Sequence, residues 1–232
     1  MTYEPASAAG FRQRLLTHPG ERQDVDYKSS IAFGADDSFS LKLIRHIQGM
    51  SNTGGGWLVI GMSETDDRGL VPDPAHSDAI CSSYDPTTLS QKVDSYVARG
   101  QQVLVTVHIE VHPNTGRRHP IIQVEGFERT PNVCRSDKVA SDTREQILRQ
   151  GAVYVRRPGA ETVPVSTPQD WEDLINRCVR LRRDEFLAEF RDLFERMTSP
   201  SLPSPSATEE LTVWMDEMRS QAFRDSAQRR GT

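Results

Sequence analysis

One glycine-rich stretch constrains the fold more than any other part of the chain. Asn52-Thr53-Gly54-Gly55-Gly56 lies between an amphipathic segment and the apolar run Trp57-Leu58-Val59-Ile60. Glycine is common where a helix ends, because it tolerates a left-handed backbone. A short apolar run bounded by such residues is typical of a buried strand. The stretch therefore predicts a helix that stops in a tight turn and leads directly into a core strand.

The same glycines also allow a different interpretation. Consecutive glycines let backbone N–H groups approach an anion, which would make residues 52–56 a nucleotide-binding loop. Nucleotide-binding loops, however, precede a helix N-terminus and continue with Gly-Lys-Ser or Gly-Lys-Thr. This stretch follows a predicted helix instead, so ATP binding is not assigned to it.

Hydrophobic periodicity predicts helices and strands along the rest of the chain. In chain order we expect a short helix around Phe11, Leu15 and Leu16, a strand at 24–30, a helix at 39–50 capped by Ser38, a strand at 57–61, a helix begun by Asp85 and Pro86, a hairpin of 103–111 with 121–124, a helix begun by a capping box of Asp142 and Glu145 and ended by Gly151, a strand at 153–157, and a long helix at 168–197. Strands joined by both hairpins and crossovers predict an α+β fold, a mixed sheet flanked by helices.

Composition shifts divide the chain into five predicted segments. These are an N-terminal helical segment at 1–20, a central domain at 21–165, a long helix packing on it at 166–198, a Pro/Ser linker at 199–207 and a C-terminal helix at 208–232. The sequence Ser-Pro-Ser-Leu-Pro-Ser-Pro-Ser cannot continue a helix and reads as a linker. The last two segments are therefore expected to form a C-terminal helical extension of the domain.

Charge argues against a protein that coats nucleic acid over its whole surface. The chain has 28 basic and 33 acidic residues and a net charge of −5. A local basic face is still compatible with this sum, because steering depends on how charge is distributed. Residues 117–157 contain nine basic and five acidic residues. The candidates for contact with nucleic acid are Arg117, Arg118, Arg135, Lys138, Arg156 and Arg157. The alternative is an ordinary solvated surface.

The sequence predicts neither a membrane span nor a secreted protein. The longest apolar runs are far shorter than the roughly 20 residues that cross a bilayer. No basic and apolar signal segment precedes Gly10, so a cytoplasmic location is expected. Cys81, Cys134 and Cys178 are isolated and odd in number. They fit neither a disulfide framework nor a zinc-binding spacing, which favours a reducing compartment.

Asp26 and Lys28 are the first candidates for chemistry. If residues 24–30 form a strand, these side chains project from one face. Metal-assisted phosphodiester cleavage uses such a pair, because a carboxylate holds Mg²⁺ or Mn²⁺ while a lysine orients water or offsets developing charge. One carboxylate is too few for the ion, so Glu21 and Glu64 are the further candidates if the two strands are neighbours. The alternative is an exposed Asp26–Lys28 ion pair, worth about 0 to 1 kcal/mol.

A second group of candidate metal ligands lies on the predicted strand at 103–111. His108, Glu110 and His112 occupy alternate positions and share its non-apolar face. Imidazole and carboxylate groups are suitable ligands for zinc or another transition metal. The alternative is that this polar face simply meets water.

The combined pattern resembles the Schlafen AlbA-like domain family. The residues that carry the resemblance are Glu21, then Asp26-Tyr27-Lys28, a helix, Ser51-Asn52-Thr53-Gly54-Gly55-Gly56-Trp57-Leu58-Val59-Ile60-Gly61, and an acid at Glu64. The later segment Val153–Gly159 is similar to the family's aromatic-x-Arg segment. The resemblance spans about residues 15 to 180.

The resemblance implies a mixed α/β domain that binds nucleic acid. In the Schlafen branch it further implies a divalent-metal-dependent endoribonuclease that acts on structured RNA such as tRNA. The three-carboxylate site of that branch falls on Glu21, Asp26 and Glu64, with Mg or Mn as the ion and Lys28 assisting. This sequence departs from the family pattern with Asp26 for Glu, Glu64 for Asp and Tyr27 for Phe.

Two expectations about partners and function follow from the resemblance. The Schlafen core pairs two lobes around a positive groove, whereas this chain has one, so a homodimer is expected. The alternative function is a non-catalytic DNA-binding or regulatory interaction module that uses the basic residues between Arg117 and Arg157.

Overall fold

The computed structural model describes residues 5–20, 22–65, 69–158 and 161–198, together with the single positions 212, 214 and 216. Residues 1–181 form one compact unit and residues 182–232 a second. The predicted linker at 199–207 lies outside the described residues, and so does most of the predicted C-terminal helix. Within the second unit, Thr212, Trp214 and Asp216 are helical, and the Trp214 ring stacks on Phe186 with centroids 6.5 Å apart.

The described residues form an α+β fold, as predicted. The helices are α1 (Pro5–Thr17), α2 (Asp37–Thr53), α3 (Asp78–Ser83), α4 (Pro86–Asp94) and α5 (Pro168–Thr198). The strands are β1 (Val25–Lys28), β2 (Gly55–Ile60), β3 (Met62–Glu64), β4 (Leu70–Pro72), β5 (Val105–Val111), β6 (Arg118–Glu125), β7 (Lys138–Val139), β8 (Gln146–Leu148), β9 (Tyr154–Arg156) and β10 (Thr162–Pro164). None of these helices is long and apolar enough to cross a membrane, as far as the described residues go.

The central sheet has four strands in the order β1-β2-β6-β5. Strand β1 pairs in parallel with β2, and α2 makes the crossover between them. Strand β6 pairs antiparallel with both β2 and β5. The sheet is therefore mixed, and β1 and β5 are its edges.

Apolar side chains cover both faces of this sheet. On one face, Leu58 and Ile60 of β2 pack against Ile44 and Ile47 of α2. On the other face, Val59 packs in a cluster that includes leucines of α1. A strand buried on both faces reads as a continuous apolar run, which explains why residues 57–60 carry no polar residue.

Helix α2 begins two residues earlier than predicted. Asp36 is the N-cap residue, and its carboxylate accepts a hydrogen bond from the Phe39 N–H at 2.6 Å. Ser38, the predicted cap, lies in the first turn. The helix ends at Thr53, and Gly54 follows it with φ +129°. The predicted helix stop is therefore confirmed, and its start is corrected by two residues.

The predicted helix after Asp142 is wrong. The described chain forms a β7–β8 hairpin there instead. The two acids of the supposed capping box serve α2: the Asp142 carboxylate accepts from the Ser38 N–H at 3.1 Å, and Glu145 pairs with Lys42 at 2.8 Å. An acid at a helix N-terminus is favourable because of the helix dipole. The two acids therefore do serve the N-terminal part of a helix, but that helix is α2, about 100 residues away in sequence.

Gly55 and Gly56 let β2 approach its neighbours closely. A Cβ atom at Gly55 would lie 2.6 Å from the Val124 carbonyl oxygen, and one at Gly56 would lie 2.6 Å from the Asp24 carbonyl oxygen. Gly55 also has φ +93°. Only glycine fits such a backbone contact without displacement, so the start of the core strand depends on both residues.

We expect Gly55→Ala to destabilise the protein more than Gly34→Ala. Both positions have positive φ, but open space surrounds Gly34. Each substitution should cost about 1 to 3 kcal/mol of backbone strain, and Gly55→Ala should lose about 1 to 3 kcal/mol more from the clash with Val124. Urea unfolding followed by tryptophan fluorescence measures both; equal losses would contradict this account of the turn.

Candidate functional site

Asp26 and Lys28 form an ion pair on the α2 side of edge strand β1. Asp26 is opposite Leu58 in the parallel register, and Lys28 is opposite Ile60. The Lys28 Nζ lies 2.7 Å from the Asp26 Oδ2. Asp26 is only 3% exposed, so the exposed pair considered from the sequence is not what forms. The carboxylate is inside the protein.

Two more side chains from distant elements reach the same carboxylate. The Arg156 Nη1 of β9 lies 3.3 Å from the Asp26 Oδ2, and the Arg156 Nη2 donates to the Val25 carbonyl at 3.4 Å. The His46 Nδ1 of α2 lies 3.9 Å from the same Oδ2. We call Asp26, Lys28, His46 and Arg156 the Asp26 cluster. It joins β1, α2 and β9 at one point.

The charge state of this cluster follows from burial and from its cations. Burial acts to raise the pKa of Asp26, but Lys28, His46 and Arg156 together hold it below its ordinary value. Burial and the charge of Lys28 lower the pKa of His46 to about 3. At neutral pH Asp26 is therefore ionised and His46 is neutral. Two cationic side chains face one carboxylate, so the cluster has one positive charge in excess.

Of the three carboxylates predicted to hold Mg²⁺ or Mn²⁺, the structure describes Asp26 and Glu64. Both cations of the Asp26 cluster lie against the same oxygen of Asp26. Glu64, at the end of β3, is exposed, and Glu21 lies outside the described residues. Nowhere in the described part of the chain do three or more His, Cys, Asp or Glu side chains gather so that they could hold a metal ion. The three-carboxylate site stays a prediction.

The predicted ladder of His108, Glu110 and His112 has separate partners. The His108 ring is hydrogen-bonded to the Gln123 side chain at 3.1 Å. Glu110 accepts from the Arg12 guanidinium of α1. His112 is buried and accepts from the Asn114 N–H. Each of the three is thus engaged in its own structural contact.

The six basic residues predicted to contact nucleic acid divide into two sets. Arg118, Arg135 and Lys138 are exposed. The other three have partners within the protein: Arg117 donates to the Asp73 carbonyl at 2.8 Å, the buried Arg156 belongs to the Asp26 cluster, and the partly exposed Arg157 pairs with Asp170 at 2.7 Å. Arg156 is the last residue of β9 and Arg157 follows it, and their side chains have separate partners, Asp26 and Asp170.

Asn52 has a structural role that its position in the sequence did not reveal. Its side-chain amide donates to the carbonyls of Asn132 and Tyr154, both at 2.9 Å. Its side-chain oxygen accepts from the Asn132 N–H at 2.7 Å. These bonds hold the end of α2 to β9, two residues before Arg156, and therefore help to place the Asp26 cluster.

Three buried histidines also pack together without any signal in their spacing. The His76 and His119 rings stack with centroids 4.5 Å apart, and His112 lies 6.0 Å from His119. Gly61, with φ +91°, provides the space for this stack, because a Cβ atom there would lie 2.5 Å from His76 Nδ1. Burial lowers the pKa of His119 to about 4. The His119 ring is therefore uncharged near neutral pH.

The described residues form an α+β domain in which edge strand β1 carries a buried ion cluster and a glycine-rich turn leads into the neighbouring strand β2. The chain belongs to the Schlafen AlbA_2 family, whose pattern matches residues 21–165. This confirms the family resemblance found in the sequence.

Among solved structures, the chain is similar to the N-terminal domain of a putative ATP-dependent DNA helicase RecG-related protein from Nitrosomonas europaea, determined by solution NMR. The two are 14% identical, with 62% of this chain and 89% of that chain covered and a TM-score of 0.34. No curated protein matches the sequence.

We expect Asp26→Asn to lower stability by about 3 kcal/mol, because it leaves the buried Arg156 and the partly buried Lys28 without a counter-charge. Asp24→Asn is the matched control. Asp24 pairs with Arg22 at 3.3 Å, but both side chains are more than half exposed, so this change should cost less than about 1 kcal/mol. Thermal unfolding compares the two variants, and similar losses would show that the Asp26 cluster does not stabilise the fold.

Stability should also fall when the pH drops below about 6.5. The folded-state pKa values of His46 and His119 are lowered to about 3 and about 4, from 6.5 for an ordinary histidine. Between these values the unfolded chain binds protons that the folded chain does not, which costs up to about 1.4 kcal/mol per pH unit for each histidine. Urea titrations from pH 7 to 4.5 measure the loss. His119→Asn should reduce the slope, and a stability that stays constant down to pH 5 would refute the assignment.

Proposed function

We propose that this protein binds nucleic acid through exposed basic residues of its Schlafen AlbA_2 domain and does not cut it. Family membership supports binding, because the resemblance to Schlafen AlbA-like domains implies a nucleic-acid partner. The arrangement of charges supports the absence of cleavage, since Asp26 is buried and its Oδ2 already contacts Lys28 and Arg156. In this proposal Asp26 holds the fold together instead of binding a metal ion.

The observation that carries the proposal is the environment of Arg118, Arg135 and Lys138. All three are exposed, and none forms an ion pair with any acid in the described part of the chain. Phosphate contacts from such side chains supply most of the affinity of non-specific nucleic-acid binding. Arg157, by contrast, is paired with Asp170 and contributes little free charge.

Two of these residues lie together around Tyr96. The Lys138 Nζ and the Lys92 Nζ each lie 5.7 Å from the centre of the Tyr96 ring. The Arg135 N–H donates to the Tyr96 carbonyl at 2.8 Å. Two ammonium groups thus lie over one ring, and the exposed Arg135 is anchored beside it through its backbone, which concentrates positive charge in one region of an acidic chain.

The competing function is divalent-metal-dependent cleavage of structured RNA such as tRNA. It would use Glu21, Asp26 and Glu64 as carboxylates, Lys28 as the assisting group and Mg or Mn as the cofactor. The carboxylate and ammonium of Asp26 and Lys28 are adjacent, which favours it. It requires, however, that Glu21 and Glu64 converge with Asp26 on one ion, although Lys28 and Arg156 both contact the Oδ2 of Asp26.

Binding should depend on salt and on the residues around Tyr96. We expect the double variant Arg135→Gln, Lys138→Gln to weaken binding of labelled tRNA and single-stranded DNA and to reduce the salt slope by about 2, one for each lost phosphate contact. Lys42→Gln is the control for loss of a basic residue that is already paired, because Lys42 forms an ion pair with Glu145. Fluorescence anisotropy between 50 and 200 mM salt gives both quantities. Equal salt slopes for the two variants would contradict the proposed interface.

The same samples test cleavage. Labelled tRNA incubated with manganese or with a chelator should give identical traces if the protein only binds. Manganese-dependent products that disappear in Glu64→Gln would instead establish the nuclease. Glu64 is exposed, so this variant leaves the fold intact.

Two further expectations belong with the proposal. A homodimer would bring two copies of the basic region together, and light scattering with and without nucleic acid measures it. A cytoplasmic location also stays a prediction, which fluorescent tagging of the chain in cells can check.

A further inference from the structure

A groove of about 680 Å³ runs between the first turns of α5 and the end of α2 with β9. Thr53, Arg156 and Arg157 line one side, and Asn176, Arg177 and Arg180 line the other. Its volume is within the range of ligand-binding clefts. Arg177 and Arg180 lie beyond residue 165, where the family match ends.

Arg177 is held in this groove by apolar and backbone contacts. Its guanidinium carbon lies 5.0 Å from the centre of the Phe127 ring. A Cβ atom at Gly54 would lie 2.9 Å from the Arg177 Nη1, and one at Gly126 would collide with its Nη2. The absence of side chains at these two glycines thus makes the space for the guanidinium.

No counter-charge accompanies Arg177 in the described part of the chain. Its Nε is buried without a hydrogen-bond partner, and no described carboxylate forms an ion pair with it. Burial, together with the nearby charge of Arg180, lowers the pKa of Arg177. A partly desolvated cation beside a second cation is unfavourable. The contact with Phe127 offsets only about 0.5 to 2 kcal/mol of that cost.

The acids of the groove do not neutralise these arginines. The Asp170 carboxylate is occupied by Arg157 at 2.7 Å and by the N–H groups of Ser166 and Thr167. Asp173 keeps its charge, but it accepts from the Gln169 side chain at 2.9 Å and forms no ion pair with Arg177 or Arg180 among the described residues. Arg180 is exposed and, like Arg177, forms no ion pair with a described acid. The groove is therefore lined on its α5 side by two arginines, Arg177 and Arg180, that have no ion-pair partner among the described residues.

We propose that Arg177 and Arg180 bind a phosphate group in this groove, and that the phosphate belongs to the backbone of a nucleic acid. A guanidinium presents a planar fork of donors that matches two phosphate oxygens. Arginines three residues apart on a helix lie on the same face, so both forks can reach one anion. The identity of the ligand as nucleic acid rests on the proposed function. The phosphate site itself rests only on the groove.

The test compares Arg180→Gln, Arg177→Gln and Arg183→Gln in the full chain. Arg183 lies on the same helix but pairs with Asp184 at 3.1 Å, so its removal is the charge-matched control. We expect each groove variant to weaken binding of labelled single-stranded RNA by about tenfold and to lower the salt slope by about 1. Arg183→Gln should bind as the unmodified protein does. Arg180 is exposed, so Arg180→Gln decides the result even if Arg177→Gln impairs folding.

A second arm separates the site from the proposed function. Inorganic phosphate and a nucleoside monophosphate are added in thermal-shift experiments to the unmodified protein and to Arg180→Gln. If RNA does not bind but these anions stabilise only the unmodified protein, the nucleic-acid function fails and the phosphate site stands, with a free phosphate compound as its ligand. If Arg180→Gln equals Arg183→Gln in RNA binding and anions stabilise neither protein, the site is overturned.

Discussion

The carboxylate of Asp26 is the interaction on which the rest of the domain depends. It is nearly inaccessible to water, yet it is ionised, because Lys28 and Arg156 lie against one of its oxygens. These partners come from β1 itself and from β9, which is 130 residues away in sequence. His46 adds a contact from α2. Removing one partner from such a cluster leaves uncompensated charge inside the protein, so the cluster fixes which elements can meet at the sheet edge.

The position of Arg156 also determines what happens at its neighbour. Arg156 ends β9 in the Asp26 cluster, and Arg157, the next residue, pairs with Asp170. Asp170 also accepts the N–H groups of Ser166 and Thr167 at the beginning of α5. The ion cluster is in this way linked to the helix that carries Arg177 and Arg180. A buried interaction that stabilises the fold thus positions the proposed phosphate site at the surface.

The glycine-rich turn contributes to both the fold and the proposed phosphate site, because its glycines have no side chains. Gly55 and Gly56 allow β2 to contact the backbone of Val124 and Asp24, and Gly54 leaves space for the guanidinium of Arg177. In a nucleotide-binding loop the backbone N–H groups of glycines hold the anion. Here the glycines instead admit an arginine, and the arginine is the group proposed to bind phosphate.

Local patterns in the sequence were enough to predict the α+β class, the buried strand β2, the β5–β6 hairpin, the helix stop at Gly54 and the long helix α5. Hydrophobic periodicity and backbone preference act within a few residues, so they can be read from the chain. The family, too, was evident from short motifs. Only the tertiary structure decided that Asp142 and Glu145 serve α2 instead of a helix of their own, that the Asp26–Lys28 pair is buried, and that Arg156 points inward while Arg177 lies over Phe127. The physical reason is that packing of the core decides which groups surround a charged side chain, and most of these groups are distant in sequence.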